Sequence, residues 1–291
     1  MSGRPRLLVI GATGFVGGHL VRAAHERFEC IPAGRSDSGR RLEITDAGSV
    51  RTAFDEACPD VVALAAAMAD IDLCEREPAE ARRTNEEGVR NVASECARTG
   101  ARLIFASSGA VFDGRRAEYR EEDAACPVSV YGATKAEAER MVQSLVPNSA
   151  VVRLSLVLGW PLRDGTNALL GRLRRAFSAR EPVLASTAEC RNAIDIATAA
   201  KWMLDLAADS EARGIFHLGS SDALSRFDIV RALADAMGYP PEFVVAEHQP
   251  RPGRAPRGLH EFLVPGRIWQ FSSVPVPTCR EAVERCVHAI A

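Results

Sequence analysis

Residues 6–17 read Arg6-Leu-Leu-Val-Ile10-Gly11-Ala-Thr-Gly14-Phe-Val-Gly17, a short apolar run, three glycines spaced G-x-x-G-x-x-G, and the start of an amphipathic stretch. An apolar strand that feeds a glycine turn opening a helix is the first step of a βαβ unit. In such a turn Gly11 permits the tight bend, Gly14 lets backbone approach a pyrophosphate, and Gly17 lets the helix lie close on the sheet. The helix N-terminus adds free N–H groups and a partial positive charge. Gly11, Ala12, Thr13, Gly14, Phe15, Val16 and Gly17 are therefore expected to cradle a dinucleotide.

The alternation continues outward. Residues 6–10, 28–33, 61–66, 103–106 and 151–156 read as strands apolar enough to be buried on both faces. Between them, residues 15–26, 47–57, 78–98 and 131–145 read as helices, and Gly100 stands where the third helix needs its C-terminal cap. Strand–helix repetition specifies an α/β fold, a Rossmann-type doubly wound parallel sheet. Beyond residue 160 the pattern loosens into helices at 166–180 (basic), 195–208, 225–237 and 280–290, and a strand at 216–218. Residues 239–277 hold eight prolines and many arginines. The expected organisation is a dinucleotide-binding domain at 1–160 and a smaller C-terminal α/β substrate lobe at 161–291. Elements near 192–218 return to the main sheet.

Of the 291 residues, 47% are hydrophobic and 25% charged, and the net charge is −2. This mixture excludes disordered and collagen-like chains. A general nucleic-acid or membrane-surface binder would carry a basic excess, so no nucleic acid and no membrane are expected as partners. The longest apolar run, residues 61–69, is about half of a membrane span, and the five-residue apolar strand at 6–10 that the N-terminus runs into is too short for a secretory apolar region. A cytoplasmic protein is expected. Eight scattered cysteines with no C-x-x-C pair read as thiols in a reducing compartment, with no metal site.

Cofactor choice is read at the end of the second strand, Ala33-Gly34-Arg35-Ser36-Asp37. An acidic residue there would hold the adenosine ribose, whereas an arginine pairs with a 2′-phosphate. Arg35, with Ser36 beside it, favours NADP, and Asp37 keeps NAD open.

Of the 36 basic residues 34 are arginine, so the two lysines carry information. Lys135 lies four residues after Tyr131 in Tyr131-Gly-Ala-Thr-Lys135, on one face of a predicted helix. A phenol with its usual pKa of about 10 is a poor acid–base group at neutral pH, and a nearby ammonium favours its ionised form. Upstream, Ile104-Phe-Ala-Ser107-Ser108 ends the fourth strand with two hydroxyls at the carboxyl edge of the sheet, where ligands bind. Ser108 is placed to hydrogen-bond a substrate carbonyl.

Together these residues resemble the extended short-chain dehydrogenase/reductase family, and most of all its dTDP-4-dehydrorhamnose reductase-like branch. The matching passages are residues 11–17, Pro59-Asp-Val-Val62, Ala65-Ala-Ala67, Glu75 with Pro78, Asn85, Ser107-Ser108, Val111-Phe-Asp-Gly114, Glu122-Asp123, Pro127 and Val130-Tyr-Gly-Ala-Thr-Lys135 followed by Glu139. The resemblance implies Tyr131 as general acid, Lys135 as the group that lowers its pKa and binds nicotinamide ribose, and Ser108 as the group polarising the carbonyl. It further implies that Glu43 and Ile44 meet the adenine and that Ala65, Ala66 and Ala67 line the nicotinamide-ribose side. Two positions depart from the branch: Gly109 follows the hydroxyl where Asp is common, and Leu64 precedes the alanines where Asn is common.

The function so implied is NADP-dependent reduction of a keto group on a nucleotide-linked 4-keto sugar. An epimerase acting through the same site is the alternative enzyme. A non-catalytic dinucleotide-binding regulatory subunit is the alternative of another class. Members of the family often pair through the helices after the third and fourth strands, so a homodimer is expected.

Overall fold

The computed structural model describes residues 3–35, 39–163, 166, 168–249 and 253–289. Its first half runs β1 (Arg6–Ile10), α1 (Phe15–Ala24), β2 (Glu29–Gly34), β3 (Arg40–Arg41), α2 (Ala47–Ala57), β4 (Val61–Leu64), α3 (Ile71–Arg76), α4 (Pro78–Arg82), α5 (Gly88–Thr99), β5 (Arg102–Ser108), α6 (Val130–Leu145) and β6 (Ala150–Leu154). There follow β7 (Val157–Leu158), α7 (Leu169–Ser178), β8 (Val183–Ser186), β9 (Cys190–Arg191), β10 (Ile194–Asp195), α8 (Ile196–Ala208), β11 (Gly214–Leu218), β12 (Leu224–Ser225), α9 (Arg226–Ala236), β13 (Val244–Glu247), β14 (His260–Glu261) and α10 (Cys279–His288).

Seven strands form one parallel sheet in the order β11-β6-β5-β4-β1-β2-β3, the doubly wound Rossmann arrangement. Strand alternation sets the two cores. Leu7, Val9, Val61 and Ala63 face the layer of α1 and α8, whereas Leu8, Ile10, Val62 and Leu64 face α2, α5 and α6. Each fully buried Leu or Phe in these layers contributes about 1.5–3 kcal/mol. In the second half, β11 joins the main sheet beside β6, and α8 packs with α1 on one of its faces. The rest of the second half has its own core, where Leu170, Leu173 and Phe177 of α7 meet Ile229 and Leu233 of α9 and Val283 of α10. Three small sheets, β10-β7, β13-β8 and β12-β9-β14, accompany it. Among the described residues no helix is long and apolar enough to cross a membrane.

Several boundaries differ from the sequence reading. The single helix expected at 78–98 is α4, a π turn at Arg83–Glu87, and α5. The wider turn aims Asn85 inward, where it is fully buried, accepts from Met68 N (2.9 Å) and donates to Met68 O (3.0 Å) and Thr134 Oγ1 (3.1 Å). The expected strand at 61–66 stops at Leu64, because Ala65–Ala67 leave the sheet to meet the glycine turn. The helix expected at 15–26 ends at Ala24, and the basic helix expected from 166 begins at Leu169. Gly100 caps α5 in the left-handed conformation, as read.

Candidate active site

The glycine turn is built by close backbone approach. A Cβ on Gly11, whose φ is +91°, would stand 2.6 Å from Ala66 N, and one on Gly17 would stand 2.1 Å from Gly11 O. Gly11 N and Ala12 N both donate to Ala33 O, which ties the turn to the end of β2. No side chain caps the start of α1 and no acidic residue sits in its first turn, so its N–H groups and positive end are left for a ligand.

Beside this turn lies a cavity of about 210 Å³ lined by Gly11, Thr13, Gly14, Arg35, Glu43, Ile44 and Ala65–Ala67. Ala12, Phe15, Val16 and Gly17, expected at the cofactor, do not line it. Ala12 and Val16 pack into the core, Gly17 packs on Gly11, and Phe15 lies edge-on to His19. Ser36 lies outside the described residues. Leu42, Thr45, Glu80, Arg83 and Thr84 line the cavity although the sequence did not single them out. The π turn carries Arg83 there, a second cation besides Arg35. The residues fit a dinucleotide: a backbone cradle free of side chains, a positive helix end and two arginines.

Ser108 ends β5, and Tyr131 opens α6, whose N-cap Ser129 accepts from Gly132 N (3.1 Å). Gly132 allows the helix to dock, since a Cβ there would stand 2.1 Å from Ala110 O. That docking sets the Tyr131 phenol beside Ser108. Burial pushes the phenol up to about 12, and the Ser108 hydroxyl opposes the shift. One turn on, Lys135 is buried, donates to Ala106 O (2.7 Å) and lies 4.1 Å from the centre of the Phe105 ring. Burial pushes its ammonium down to about 7, opposed by the charge of Glu139. The other lysine, Lys201, is half exposed and pairs with Asp205.

Ser107 faces the opposite way and donates to Glu139, which is held by Arg153 at 2.8 Å with both side chains buried. It ties β5 to α6 and cannot substitute for Ser108.

The segment after β4 links three places. Ala65–Ala67 line the cofactor cavity, Cys74 and Met68 pack against Tyr131, and Asp72 lines a second cavity of about 620 Å³. Arg172, Arg226, Arg254 and Arg257 surround this second cavity. Arg257 grips Asp72 with two bonds (3.0 and 2.8 Å), and this holds the Asp72 carboxyl down to about 2. Arg254 pairs with Glu189. Arg226 reaches the same carboxylate only at 3.9 Å, and burial, with Arg191 nearby, pushes it down to about 10. Arg172 makes no ion pair among the described residues. The cavity thus carries positive charge that its own acids do not neutralise. The sequence reading noted only a basic helix and an arginine-proline segment here, because one arginine among 34 gives no signal.

A dinucleotide cradle, Ser108 beside the buried Tyr131 and Lys135 at the carboxyl edge of the sheet, and a cationic cavity beyond define an oxidoreductase of the extended short-chain dehydrogenase/reductase class. Within that class the chain belongs to the RmlD substrate binding domain family, whose model matches residues 5–291. It is 32% identical over 98% of its length to 86% of the dTDP-4-dehydrorhamnose reductase of Mycolicibacterium smegmatis. It is 28% identical over 81% of its length to 73% of the methionine adenosyltransferase 2 subunit beta of Pongo abelii. Its fold matches the crystal structure of Bacillus anthracis dTDP-4-dehydrorhamnose reductase in complex with NADP, with a TM-score of 0.90, 23% identity, and 99% of this chain and 100% of that chain covered.

Proposed function

We propose that the protein is an NADP-dependent reductase of a keto group on a nucleotide-linked sugar, and that Tyr131 is its general acid. The observation that carries the reading is the buried Tyr131 phenol beside Ser108, with Lys135 buried one helical turn on, between the dinucleotide cradle and the arginine-lined cavity. Backbone around Gly11 and Gly14 holds the pyrophosphate, Arg35 the 2′-phosphate, Glu43 and Ile44 the adenine, and Ala65–Ala67 with Lys135 the nicotinamide ribose. NADPH, when bound, supplies a hydride to the carbonyl carbon. Ser108 hydrogen-bonds the carbonyl oxygen, and Tyr131 delivers its proton to that oxygen as negative charge develops. A phenol held near 12 is a reluctant donor, and Lys135, one helical turn away, when it carries its proton stabilises the phenolate left behind. Arg172 and Arg226 hold the diphosphate of the substrate, the charge their surroundings leave unbalanced.

The similarity to a methionine adenosyltransferase subunit favours a second reading, a regulatory subunit that binds a dinucleotide without turnover. Incubating the protein with NADPH and a panel of nucleotide-linked keto sugars separates the readings. Reduction consumes one NADPH per sugar, seen as loss of nicotinamide absorbance. An epimerase changes the sugar with no net cofactor oxidation, and a subunit changes neither.

A further inference from the structure

Glu261 is an ionisable group that the steps above do not use. It belongs to β14, which lies parallel to β9 with Glu261 opposite Arg191. The chain on either side is pinned along the loop that follows Ser108. His260 N donates to Gly114 O (3.0 Å), and Gly258 packs so tightly on Gly114 that neither tolerates a Cβ. Further on, Leu263 N donates to Asn192 Oδ1 (3.1 Å), and the Leu263 side chain covers Gly109, where a Cβ would lie 3.3 Å from Leu263 Cδ1. Leu263 therefore fills the space that Gly109 leaves open next to Ser108.

In extended chain, residues two apart share a face and lie about 7 Å from one another. Leu263 lies on Gly109, and Glu261, two residues earlier, therefore stands close to the carboxyl end of β5. Burial is the main cause of the raised Tyr131 pKa and the charge of Glu261 adds to it, while burial also pushes the Glu261 carboxyl up. One carboxylate oxygen, Oε1, meets Arg191 at 3.1 Å, and the side chain is 13% exposed. Arg191 divides its other donors among Cys190 O, Leu259 O and Gly258 O. The second oxygen of Glu261 accepts no hydrogen bond among the described residues. A carboxylate so enclosed gains from a donor that a ligand brings, and it penalises a ligand that covers it without one.

We propose that Glu261 is a specificity-determining residue, its free oxygen accepting a hydrogen bond from a substrate hydroxyl adjacent to the carbonyl reduced at Tyr131. The inference rests on the reading of Tyr131 as the reacting centre. It narrows the substrate to a ketone flanked by a hydroxyl, and it disfavours simple ketones and sugars deoxygenated beside the carbonyl. A site built around a substrate hydroxyl rejects the analogue lacking it far more strongly than an apolar pocket rejects a missing methylene.

The test compares nucleotide-linked 4-keto sugars with their 3-deoxy counterparts, followed as NADPH absorbance, in the parent, Glu261→Ala and Glu261→Gln. Cofactor affinity, read by NADPH fluorescence, reports that each variant is folded. The parent is expected to favour the hydroxylated sugar by at least ~10²-fold in kcat/KM. Glu261→Ala brings that ratio below ~10-fold, mainly by raising KM for the hydroxylated sugar, and Glu261→Gln gives an intermediate ratio because its amide oxygen still accepts. A parent that does not discriminate, or a folded Glu261→Ala variant with the parent's ratio, overturns the proposal and leaves the reductase reading standing. Should the alanine variant fail to bind NADPH, an unchanged ratio in Glu261→Gln overturns it equally. A parent that reduces no keto sugar removes the reductase reading and this proposal with it.

Discussion

The cofactor cleft and the arginine-lined cavity share the segment that runs from Ala65 to Cys74, yet they are built by different means. The cleft is made of backbone. Gly11 and Gly17 exist where a Cβ would strike another main-chain atom, and the positive charge at α1 comes from the helix end itself. The cavity is made of long side chains: Arg172, Arg226, Arg254 and Arg257 reach in from α7, α9 and the loop before β14. Backbone construction leaves almost no freedom for substitution, whereas a ring of arginines can lose one member and remain. Cofactor binding should therefore be brittle to mutation, and substrate binding graded.

The largest expected effect is at the cradle. Gly17→Val sets a branched side chain against Gly11 O and abolishes NADPH binding, a loss beyond ~10²-fold in affinity, because the turn must open before the variant folds. Fluorescence titration measures it, and a variant that binds NADPH like the parent breaks the contrast between the two regions.

Removing one arginine of the cavity sharpens the contrast. Arg226→Gln should raise KM for a nucleotide-linked keto sugar by about 10–100-fold, the value of a charge-assisted hydrogen bond, with kcat and NADPH affinity little changed. A fall in kcat with KM unchanged would assign Arg226 a different task. Arg35→Ala acts within the cleft through a side chain, so it should remove most of the preference for NADPH over NADH, about 10-fold or more, and leave NADH affinity alone. Equal affinity of the parent for both cofactors would end that assignment.

A smaller effect is expected in stability. Burial holds Lys135 near 7, against an unfolded value of about 10.4. Between these values the unfolded chain binds the extra proton, so this group makes the cofactor-free protein more stable as pH rises from about 7 toward 10. Urea unfolding at pH 7 and pH 9 should show a steeper rise for the parent than for Lys135→Met, and equal slopes would contradict the burial of a titrating lysine. Homodimer formation is an expectation that light scattering at micromolar concentration tests, a clean monomer being the contrary result.

The same difference in construction explains what the sequence disclosed. The glycine turn and the Tyr131–Lys135 pair are local, written within a dozen residues, and their spacing carries the physics. Burial of β1 on both faces, Leu7 and Val9 on one and Leu8 and Ile10 on the other, was legible for the same reason. The π turn at Arg83–Glu87 was not, because Asn85 widens the helix only by reaching Met68 and Thr134, 17 and 49 residues away. Nor were Arg226 and Glu261, whose roles depend on contacts with Glu189 and Arg191 across the small β12-β9-β14 sheet. Of the two adjacent serines the sequence reading singled out Ser108, and strand alternation gives the two different surroundings: Ser107 ties β5 to α6 through Glu139, and Ser108 stands beside Tyr131.

The two regions serve one reaction only if the phenol between them gives up its proton. Tyr131→Phe removes that hydroxyl and keeps the ring that packs against Cys74 and Met68. Its turnover of whichever nucleotide-linked keto sugar the parent reduces, measured beside its NADPH affinity, tests the account most directly. A loss of at least ~10²-fold in kcat with cofactor affinity unchanged is the predicted result. A variant that binds NADPH normally and reduces the sugar as fast as the parent would contradict it.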